Sequence, residues 1–396
     1  MKGSRLTTDS IPRRLTLLLF ALFVVIATVA GQTVPNVMKV NHQRQLPDVI
    51  APTGELADLY EELRPATLKI EARVDSTFLS GPLGIGTGFF ISPDGLLLTA
   101  YHVVDITSTP QDFRENLEFV AVSPDGTEYS LSLVGFDIYF DLALLKADVQ
   151  EEVPYLPLAQ EAPLIGSNIV AIGNSRDDFL EARAGRVLKI GVDSPRVTFA
   201  DDTIQLTAAL APGDSGGPVI NDSGEAIGVV SYIAFNPDQN VPLYLQPFIN
   251  EAPSFASYAA PVTVENEVIE ALMRGERRDV PVIGFSAGIP NRIPSSYDPE
   301  DIRFPDLGEL PGVIVGRVQP NGPASAAGFK DLDVQDNSFI ADVIVAVDDE
   351  PTIDFPRLLE VLYQKGVGQT VTVTVQRGTK TFKLRLELGA KREVFN

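Results

Sequence analysis

The chain contains 396 residues, with 31 lysines and arginines against 53 aspartates and glutamates, so its formal net charge is −22. Such an acidic composition argues against nucleic acid as a partner, because phosphate binding needs basic surface. The absence of cysteine excludes disulfides, iron–sulfur clusters, thiolate zinc sites and cysteine nucleophiles, and two histidines are too few for a multi-histidine metal centre. We therefore predict no metal and no cofactor, in a chain long enough for two or three domains.

The N-terminus carries the pattern of an export signal. Residues 1–14 are basic, residues 15–30 form an uncharged apolar run, and that run ends in small residues. This order predicts a signal peptide over residues 1–30, with an uncleaved membrane anchor as the alternative. Residues 31–54 lack a clear hydrophobic period and are predicted to be a linker, in which His42 is a solvated side chain. The expected location is a bacterial periplasm or cell envelope.

From residue 55 a short helix and then many strands are predicted. Apolar residues recur at helical spacing after Glu55 and stop at Pro65. Beyond Pro65 the apolar runs become short and are separated by turn-forming residues, which is typical of an all-β barrel or sandwich. The predicted strands are 66–72, 86–91, 95–100, 117–122, 129–134, 142–147 and 168–173, and a helix over 262–273 closes this region.

The last part of the chain, from about residue 280, mixes helices and strands. Residues 323–327 and 355–364 have helical patterns. Residues 371–375 and 381–388 alternate around a turn and predict a hairpin. These elements predict a separate α+β domain of ordinary size.

The strongest chemical signal is the string Gly-Asp-Ser-Gly-Gly-Pro at residues 213–218, between two apolar strands. Its glycines allow a sharp turn and a close approach of substrate backbone. The amides of Gly213 and Ser215 are predicted to form an oxyanion hole, with Ser215 as the nucleophile. An ordinary glycine-rich turn is the alternative interpretation.

A serine nucleophile needs a base and an acid that orients this base. His102 follows an apolar strand and is the only histidine outside the linker, so it is the candidate base. Asp141 directly precedes the predicted apolar strand 142–147 and is the favoured acid. Asp137, four residues earlier in a turn-like context, remains its rival.

The chain order His102, Asp141, Ser215 is that of the chymotrypsin-type proteases. The segments 86–91 (GTGFFI), 98–103 (LTAYHV) and 141–145 (DLALL), with the Ser215 loop and the following α+β unit, resemble the HtrA/Deg family of serine proteases with PDZ domains. The resemblance covers about residues 56–388. It implies an all-β chymotrypsin-like double barrel over residues 55–275, with the triad between two six-stranded barrels, and an α+β PDZ domain over residues 280–390.

The resemblance also implies binding sites. Ala209, Leu210 and Ser231 would line the primary substrate pocket, and the absence of an acid there favours an apolar residue before the cleaved bond. Ile283, Gly284 and Phe285 would form the PDZ loop that captures a peptide C-terminus. Helix 355–364 would wall that groove, and the family resemblance suggests a homotrimer.

Together these features predict a serine endopeptidase of the cell envelope that cleaves misfolded or regulatory proteins. A peptide-binding chaperone or scaffold with a silent protease fold is the alternative. One departure concerns Asp214, because the family usually has Asn at this position. An aspartate at this position is similar to the secreted digestive enzymes, which use the acid to bind a newly cut N-terminus. Since no activation sequence precedes the domain, Asp214 is expected to hydrogen-bond locally.

Overall fold

A computed structural model of the chain describes residues 48–74, 81–106, 114, 116–175, 179–192, 203–235, 255–287, 312–335 and 338–395. The predicted signal at residues 1–30 and residues 31–47 of the predicted linker, including His42, lie outside the described residues. Among the helices of the described ranges, none is both long and apolar enough to cross a bilayer. The end of the predicted linker is attached to the fold, since the Ala184 amide donates a hydrogen bond to the Ile50 carbonyl (2.7 Å).

The predicted first helix is present as α1 (Glu55–Leu63), followed by a 3₁₀ turn over Arg64–Ala66. Its apolar side packs on the protein core, and the buried Tyr60 hydroxyl donates to the Leu180 carbonyl at 3.0 Å. Pro65 lies where the α-helix gives way to the 3₁₀ turn, consistent with the loss of a backbone donor at proline.

Six antiparallel strands form a first closed barrel. Strand pairing runs in the order β5-β4-β1-β2-β3-β6, and β6 pairs back to β5. The ring closes at Asp137↔Leu142, next to the turn that connects these two strands. The strands are β1 (Thr67–Val74), β2 (Gly84–Phe90), β3 (Leu96–Ala100), β4 (Leu117–Val122), β5 (Glu128–Asp137) and β6 (Leu142–Ala147).

Six further strands form a second closed barrel, in the order β10-β11-β12-β9-β8-β7. They are β7 (Asn168–Gly173), β8 (Glu181–Val192), β9 (Thr203–Leu206), β10 (Pro218–Ile220), β11 (Ala226–Phe235) and β12 (Phe255–Pro261). One core cluster joins residues of both barrels, including Leu98 and Leu144 of the first with Ile172 and Val229 of the second. Buried apolar contact therefore fixes the barrels against each other, which positions any groups at their junction.

The helix predicted over 262–273 is shorter in the structure. Helix α2 (Glu267–Met273) begins after Asn266, whose side chain accepts a hydrogen bond from the Val268 amide (2.8 Å). The amides of Val262 and Val264 instead donate to Ile227 and Ala159 carbonyls at 3.0 Å. The first five residues of the prediction, 262–266, are wrong because the amides of this segment bond to the barrel rather than continue a helix.

The last domain has the predicted α+β composition. Its main sheet has the order β15-β16-β19-β21-β22, and β20 pairs with β19. The helices are α3 (Pro323–Ala327), α4 (Phe355–Lys365) and α5 (Lys391–Val394). The strands that follow α2 are β13 (Arg277–Arg278), β14 (Pro281–Val282), β15 (Phe285–Ala287), β16 (Val313–Val318), β17 (Asp333–Gln335), β18 (Ser338–Ile340), β19 (Asp342–Val347), β20 (Glu350–Pro351), β21 (Thr370–Arg377), β22 (Lys380–Glu387) and β23 (Gly389–Ala390).

Candidate functional site

His102 lies at the end of an apolar strand, where the chain turns. Strand β3 is almost completely buried and leads into a 3₁₀ turn over Tyr101–Val103, so the fold places His102 at the rim of the first barrel. The His102 side chain is 37% exposed, whereas the Asp141 side chain beside it is 2% exposed. One face of the imidazole ring is therefore available to a reactant, while its carboxylate partner is shielded from water.

Strand pairing brings His102 and Asp141 together across 39 positions of sequence. Ala100 pairs with Leu142 in the β3–β6 ladder, so the residues just beyond this pair meet at the same end of the barrel. Asp141 Oδ2 lies 2.8 Å from His102 Nδ1, and Asp141 Oδ1 accepts the His102 backbone amide at 3.0 Å. The carboxylate thus fixes both the ring and the main chain of the histidine.

The backbone of Asp141 has a left-handed conformation with φ of 54°. Aspartate is one of the few residues apart from glycine that adopt this region. The turn is closed by the Asp141 amide, which donates to the Ile138 carbonyl (3.3 Å), while the Asp141 carbonyl accepts the Tyr101 amide (3.0 Å). An unfavourable backbone conformation that neighbouring hydrogen bonds hold in place is typical of functional sites.

Asp137, the rival acid, has a different environment. It is buried, and its Oδ1 accepts the Phe140 amide at 3.0 Å. Its Oδ2 accepts the Tyr363 hydroxyl at 2.8 Å and lies 3.3 Å from Arg278 Nη1. Burial raises the pKa of the Asp137 carboxyl, and the hydrogen bonds and Arg278 oppose this effect. Asp137 therefore joins the first barrel to helix α4 of the last domain rather than to His102.

Ser231 has a contact that sequence reasoning did not identify. Its hydroxyl donates to Asp141 Oδ2 at 2.5 Å, across 90 positions of sequence. Ser231 is 3% exposed and lies in the otherwise apolar strand β11. The signal in the sequence was a serine in a largely apolar strand, since a buried hydroxyl needs a partner. The two barrels thus meet at the Asp141 carboxylate.

The loop at residues 213–218, which we call the nucleophile loop, is held against strand β2 of the first barrel. The Thr87 amide donates to the Ser215 carbonyl at 2.8 Å, and the Thr87 hydroxyl donates to the Gly213 carbonyl at 2.7 Å. Thr87 is in turn held by the Thr99 hydroxyl, which donates to the Thr87 carbonyl at 2.7 Å. Because Thr99 lies in β3 shortly before His102, the nucleophile loop is anchored beside the strand that carries the histidine.

The glycines of the nucleophile loop are required by close packing. Gly216 has φ of +85°, and a Cβ there would overlap the Thr87 carbonyl oxygen and the Thr99 hydroxyl. A Cβ on Gly217 would overlap the Ile172 carbonyl oxygen. The Gly216 amide donates to the Val230 carbonyl at 2.7 Å, so the loop is also fixed to strand β11. Ser215 is half-buried on this rigid support.

Asp214 is not confined to local hydrogen bonds. It accepts the nearby Ala211 amide at 2.9 Å, but it also accepts the Ser175 hydroxyl at 2.8 Å and forms an ion pair with Arg183, whose Nε lies 3.0 Å from Oδ2. Both side chains of the pair have zero exposure. Desolvation is the larger effect and raises the pKa of the Asp214 carboxyl, while Arg183 and the hydrogen bonds lower it. The expected local hydrogen bond is present, but the expectation was incomplete, because the charged partner of Asp214 lies on strand β8.

The residues predicted to line the substrate pocket are all buried. Ala209 is 4% exposed, and Leu210 is 1% exposed within the core cluster of the second barrel. Ser231 contacts Asp141, as described above. Leu210 thus packs as barrel core, whereas Ser231 contacts the Asp141 carboxylate of the candidate triad.

The predicted peptide-binding loop borders an apolar cavity of about 160 Å³ in the last domain. Gly284 has φ of 91°, its carbonyl accepts the Gln319 amide at 3.0 Å, and the Ile283 carbonyl accepts the Ala324 amide at 2.8 Å. Helix α4, the helix expected to wall the groove, contributes Leu358 and Leu362 to the lining. The remaining lining residues are Tyr139, Val280, Val282, Phe355, Leu359, Lys391 and Phe395, together with Ile283, Gly284 and Phe285 of the loop.

Two family models match the chain. The trypsin-like peptidase domain matches residues 86–229, and the PDZ domain matches residues 283–388. The chain is 30% identical over 309 residues to a probable periplasmic serine endoprotease DegP-like of Rhizobium meliloti, an alignment that covers 78% of this chain and 54% of the relative. It is 25% identical over 305 residues to the serine endoprotease DegS of Escherichia coli, covering 77% and 76% respectively. The chain thus spans about half the length of the DegP-like relative.

Solved structures share the fold. The crystal structure of the serine endoprotease from Yersinia pestis matches with a TM-score of 0.54 at 22% identity, covering 86% of this chain and 99% of that one. A structure described as the HtrA-type protease AlgW with tripeptide matches with a TM-score of 0.53 at 22% identity, covering 86% and 98%. The double barrel followed by the α+β domain is therefore the fold of those proteins.

Proposed function

Because the chain belongs to the HtrA/Deg family of trypsin-like serine proteases with a PDZ domain, we propose that it is a serine endopeptidase in which Ser215, His102 and Asp141 form the catalytic triad. The observation that carries this proposal is the 2.8 Å contact between His102 Nδ1 and the buried Asp141 carboxylate. This contact favours the tautomer with the proton on Nδ1, so Nε2 keeps a lone pair for the serine proton.

The proposed reaction is an acyl transfer to water. Ser215 Oγ attacks the scissile carbonyl carbon while His102 Nε2 takes the hydroxyl proton, and Asp141 stabilises the resulting imidazolium. The oxyanion accepts hydrogen bonds from the Gly213 and Ser215 amides, each of which is expected to lower the barrier by about 3 kcal/mol. His102 then protonates the leaving amine, the peptide bond breaks, and water hydrolyses the acyl-enzyme by the reverse proton path.

The proposed substrates are unfolded or regulatory proteins with an apolar residue before the cleaved bond. Ala209, the residue proposed to lie at the base of the pocket, carries no charge and so offers nothing to pair with a lysine or arginine. The apolar cavity beside Ile283, Gly284 and Phe285 is proposed to take the last side chain of a peptide C-terminus, while the loop amides bind its carboxylate. A homotrimer is part of this proposal through the family.

The proposed location is the periplasm or another part of the cell envelope. Two observations support it: the basic, apolar and small-residue order of residues 1–30, and the periplasmic location in the name of the Rhizobium meliloti relative. We propose cleavage near Ala30, with retention of this segment as a membrane anchor as the alternative.

The test is active-site labelling of the purified chain with a fluorophosphonate probe, with the adduct located by mass spectrometry. We expect labelling of Ser215 that is lost in Ser215→Ala and kept in Ser223→Ala, because Ser223 is an exposed turn residue outside the site. Casein cleavage is expected to follow the same pattern, and a peptide ending in an apolar residue to bind Ser215→Ala with unchanged affinity. A folded chain that binds this peptide but neither takes the probe nor cleaves casein would contradict the proposal and favour a scaffold.

A further inference from the structure

Arg183 and Asp214 form a fully buried ion pair directly behind the nucleophile loop. Their side chains have zero exposure, and Arg183 Nε lies 3.0 Å from Asp214 Oδ2. Arg183 comes from strand β8, where it pairs with Ala171 of β7. Asp214 comes from the nucleophile loop itself, one residue before Ser215. The pair therefore ties the loop to a rigid wall of the second barrel.

Ser175 completes the contact between the two charges. Its hydroxyl donates to Asp214 Oδ2 and accepts a hydrogen bond from Arg183 Nη2, both at 2.8 Å. The Ser175 amide also donates to Asp214 Oδ1 at 3.1 Å, and Arg183 Nη1 donates to the Glu181 carbonyl at 3.0 Å. Ser175 thus bridges the two charges, and hydrogen bonds of this kind help a buried charge pair to offset its desolvation.

The packing leaves Asp214 no freedom to place its carboxylate elsewhere. At Gly173, at the end of β7, a Cβ would overlap the Asp214 carboxylate. The Asp214 carbonyl accepts the Gly217 amide at 2.9 Å, and the Asp214 amide donates to the Ala211 carbonyl at 3.0 Å. The side chain and the main chain of Asp214 are thus both held by neighbours, and a shift of this residue would disturb the adjacent Gly213 and Ser215, whose amides are the proposed oxyanion donors.

A buried ion pair is a weak source of net stability, because desolvation of two charges cancels much of their attraction. An apolar pair of similar volume would fill the same space without that cost. The charges are explained better by geometry, since the Arg183 guanidinium lies against the Asp214 carboxylate and the Ser175 hydroxyl bridges the two groups, which favours one orientation of the carboxylate. This argues for a positioning role at the site.

We infer that Arg183 is a positioning residue for the proposed reaction, serving as the internal cation that holds Asp214 and thereby keeps the oxyanion donors in place in the intact chain. In the digestive enzymes that Asp214 resembles, a newly cut N-terminus supplies this charge. Here strand β8 supplies it, so the nucleophile loop needs no cleavage to be held in the described conformation. The inference rests on the proposed endopeptidase function.

The test compares Arg183→Met, Asp214→Asn and the double variant with the unchanged chain. Arg183→Met leaves a buried carboxylate without its cation, and Asp214→Asn leaves a buried cation without its anion. We expect each single variant to lower the fluorophosphonate labelling rate of Ser215 by on the order of 100-fold, the loss typical of a misplaced oxyanion donor. The loss should fall on kcat for a peptide substrate and leave KM nearly unchanged, because the substrate pocket is not altered.

The double variant carries neither charge, and the side-chain amide introduced by Asp214→Asn would still hydrogen-bond Ser175 and the Ala211 amide. We expect it to label within about tenfold of the unchanged chain, so the two losses are strongly non-additive. A merely structural role would lower the thermal midpoint without changing the labelling rate of folded protein. All rates are measured at least about 15 °C below each midpoint, a margin wider than the shift expected from about 2 kcal/mol in a chain of this size.

The outcomes distinguish failure of the proposed function from failure of the inference about Arg183. No labelling of the folded, unchanged chain would reject the proposed function itself. Labelling of the unchanged chain with an equal rate for folded Arg183→Met would overturn the inference alone. If Arg183→Met does not fold, the comparison passes to Asp214→Asn and the double variant: the inference requires the double variant to label faster by at least about tenfold, and equal rates overturn it.

Discussion

Asp141 and Asp214 are both almost completely buried, but they have partners of different kinds. Asp141 faces the His102 ring, the His102 amide and the Ser231 hydroxyl. Asp214 faces the Arg183 guanidinium. An imidazole gains and loses its charge near neutral pH, whereas a guanidinium is permanently charged. The first carboxylate can therefore respond to a moving proton, while the second is neutralised throughout and can only hold position.

The largest effect is expected from a substitution that removes the Asp141 carboxylate from this comparison. Asp141→Asn keeps the shape of the side chain but removes the charge that stabilises the imidazolium and selects its tautomer. We expect kcat for a peptide substrate to fall by about 10⁴-fold near neutral pH. Asp137→Asn is the matched control, since it removes a buried carboxylate four residues away that does not touch His102, and its effect on kcat should stay within about tenfold. Equal losses in the two variants would contradict the assignment of the acid.

The next prediction concerns the support on which Asp214 and Ser215 lie. Gly216→Ala adds a Cβ that overlaps the Thr87 carbonyl at a positive φ, so the nucleophile loop must shift. We expect labelling of Ser215 to be lost and the free energy of unfolding to fall by at least about 2 kcal/mol. Gly224→Ala is the control, because Gly224 has a similar φ of +82° but its Cβ would lie 3.3 Å from the nearest atom, Leu59 Cδ1. It should lose about 1 kcal/mol and keep its activity.

A smaller effect is expected when Asp141 loses one neutral hydrogen-bond donor, the Ser231 hydroxyl. Ser231→Ala leaves Asp141 with the two hydrogen bonds from His102, so the carboxylate stays in place but is less well held. We expect kcat/KM to fall about tenfold, the equivalent of about 1.4 kcal/mol. Ser257→Ala serves as the control, since this buried hydroxyl in the same barrel donates to the Ala208 carbonyl and not to the triad. Equal losses in both variants would indicate a general packing effect.

The smallest effect concerns another buried carboxylate, that of Asp137. Burial raises its pKa, so the folded chain binds this proton more tightly than the unfolded chain, and the free energy of unfolding falls as pH rises from about 4 through the folded pKa. Tyr363→Phe removes a hydrogen bond that favours the ionised form. We therefore expect a loss of about 1 kcal/mol at pH 7 that shrinks towards pH 4, measured by urea unfolding. In an Asp137→Asn background the Tyr363→Phe loss should not depend on pH.

The elements with strong local patterns could be predicted from the sequence. The strands Leu117–Val122, Leu142–Ala147 and Asn168–Gly173 have the predicted bounds, because burial on the barrel core imposes the apolar runs that mark them. The predicted fold class, a double β-barrel followed by an α+β domain, is confirmed by the strand topology and by the match to a trypsin-like peptidase domain. Chain order and residue type were enough to bring His102 and Asp141 forward as partners, and the structure places them in contact.

Contacts between distant segments were beyond local patterns. Arg183 and Ser175 reach Asp214 from other strands, and nothing in their own surroundings marks them as its partners. The family resemblance places Ser231 in the substrate pocket, yet its hydroxyl donates to a carboxylate of the other barrel. Such pairs depend on how the sheets close, which a single sequence expresses only through long-range packing.

The contacts of Thr87 have a consequence for biosynthesis. Thr87 is made early, but the carbonyls of Gly213 and Ser215 that it binds are made more than a hundred residues later. The hydrogen-bond partners of the Gly216 amide and of Asp141, the Val230 carbonyl and the Ser231 hydroxyl, are also synthesised later than these groups. A ribosome-bound chain whose second barrel is still in the exit tunnel therefore lacks these supports. If the chain is the proposed endopeptidase, its proteolytic competence is expected to arise last, after both barrels have closed.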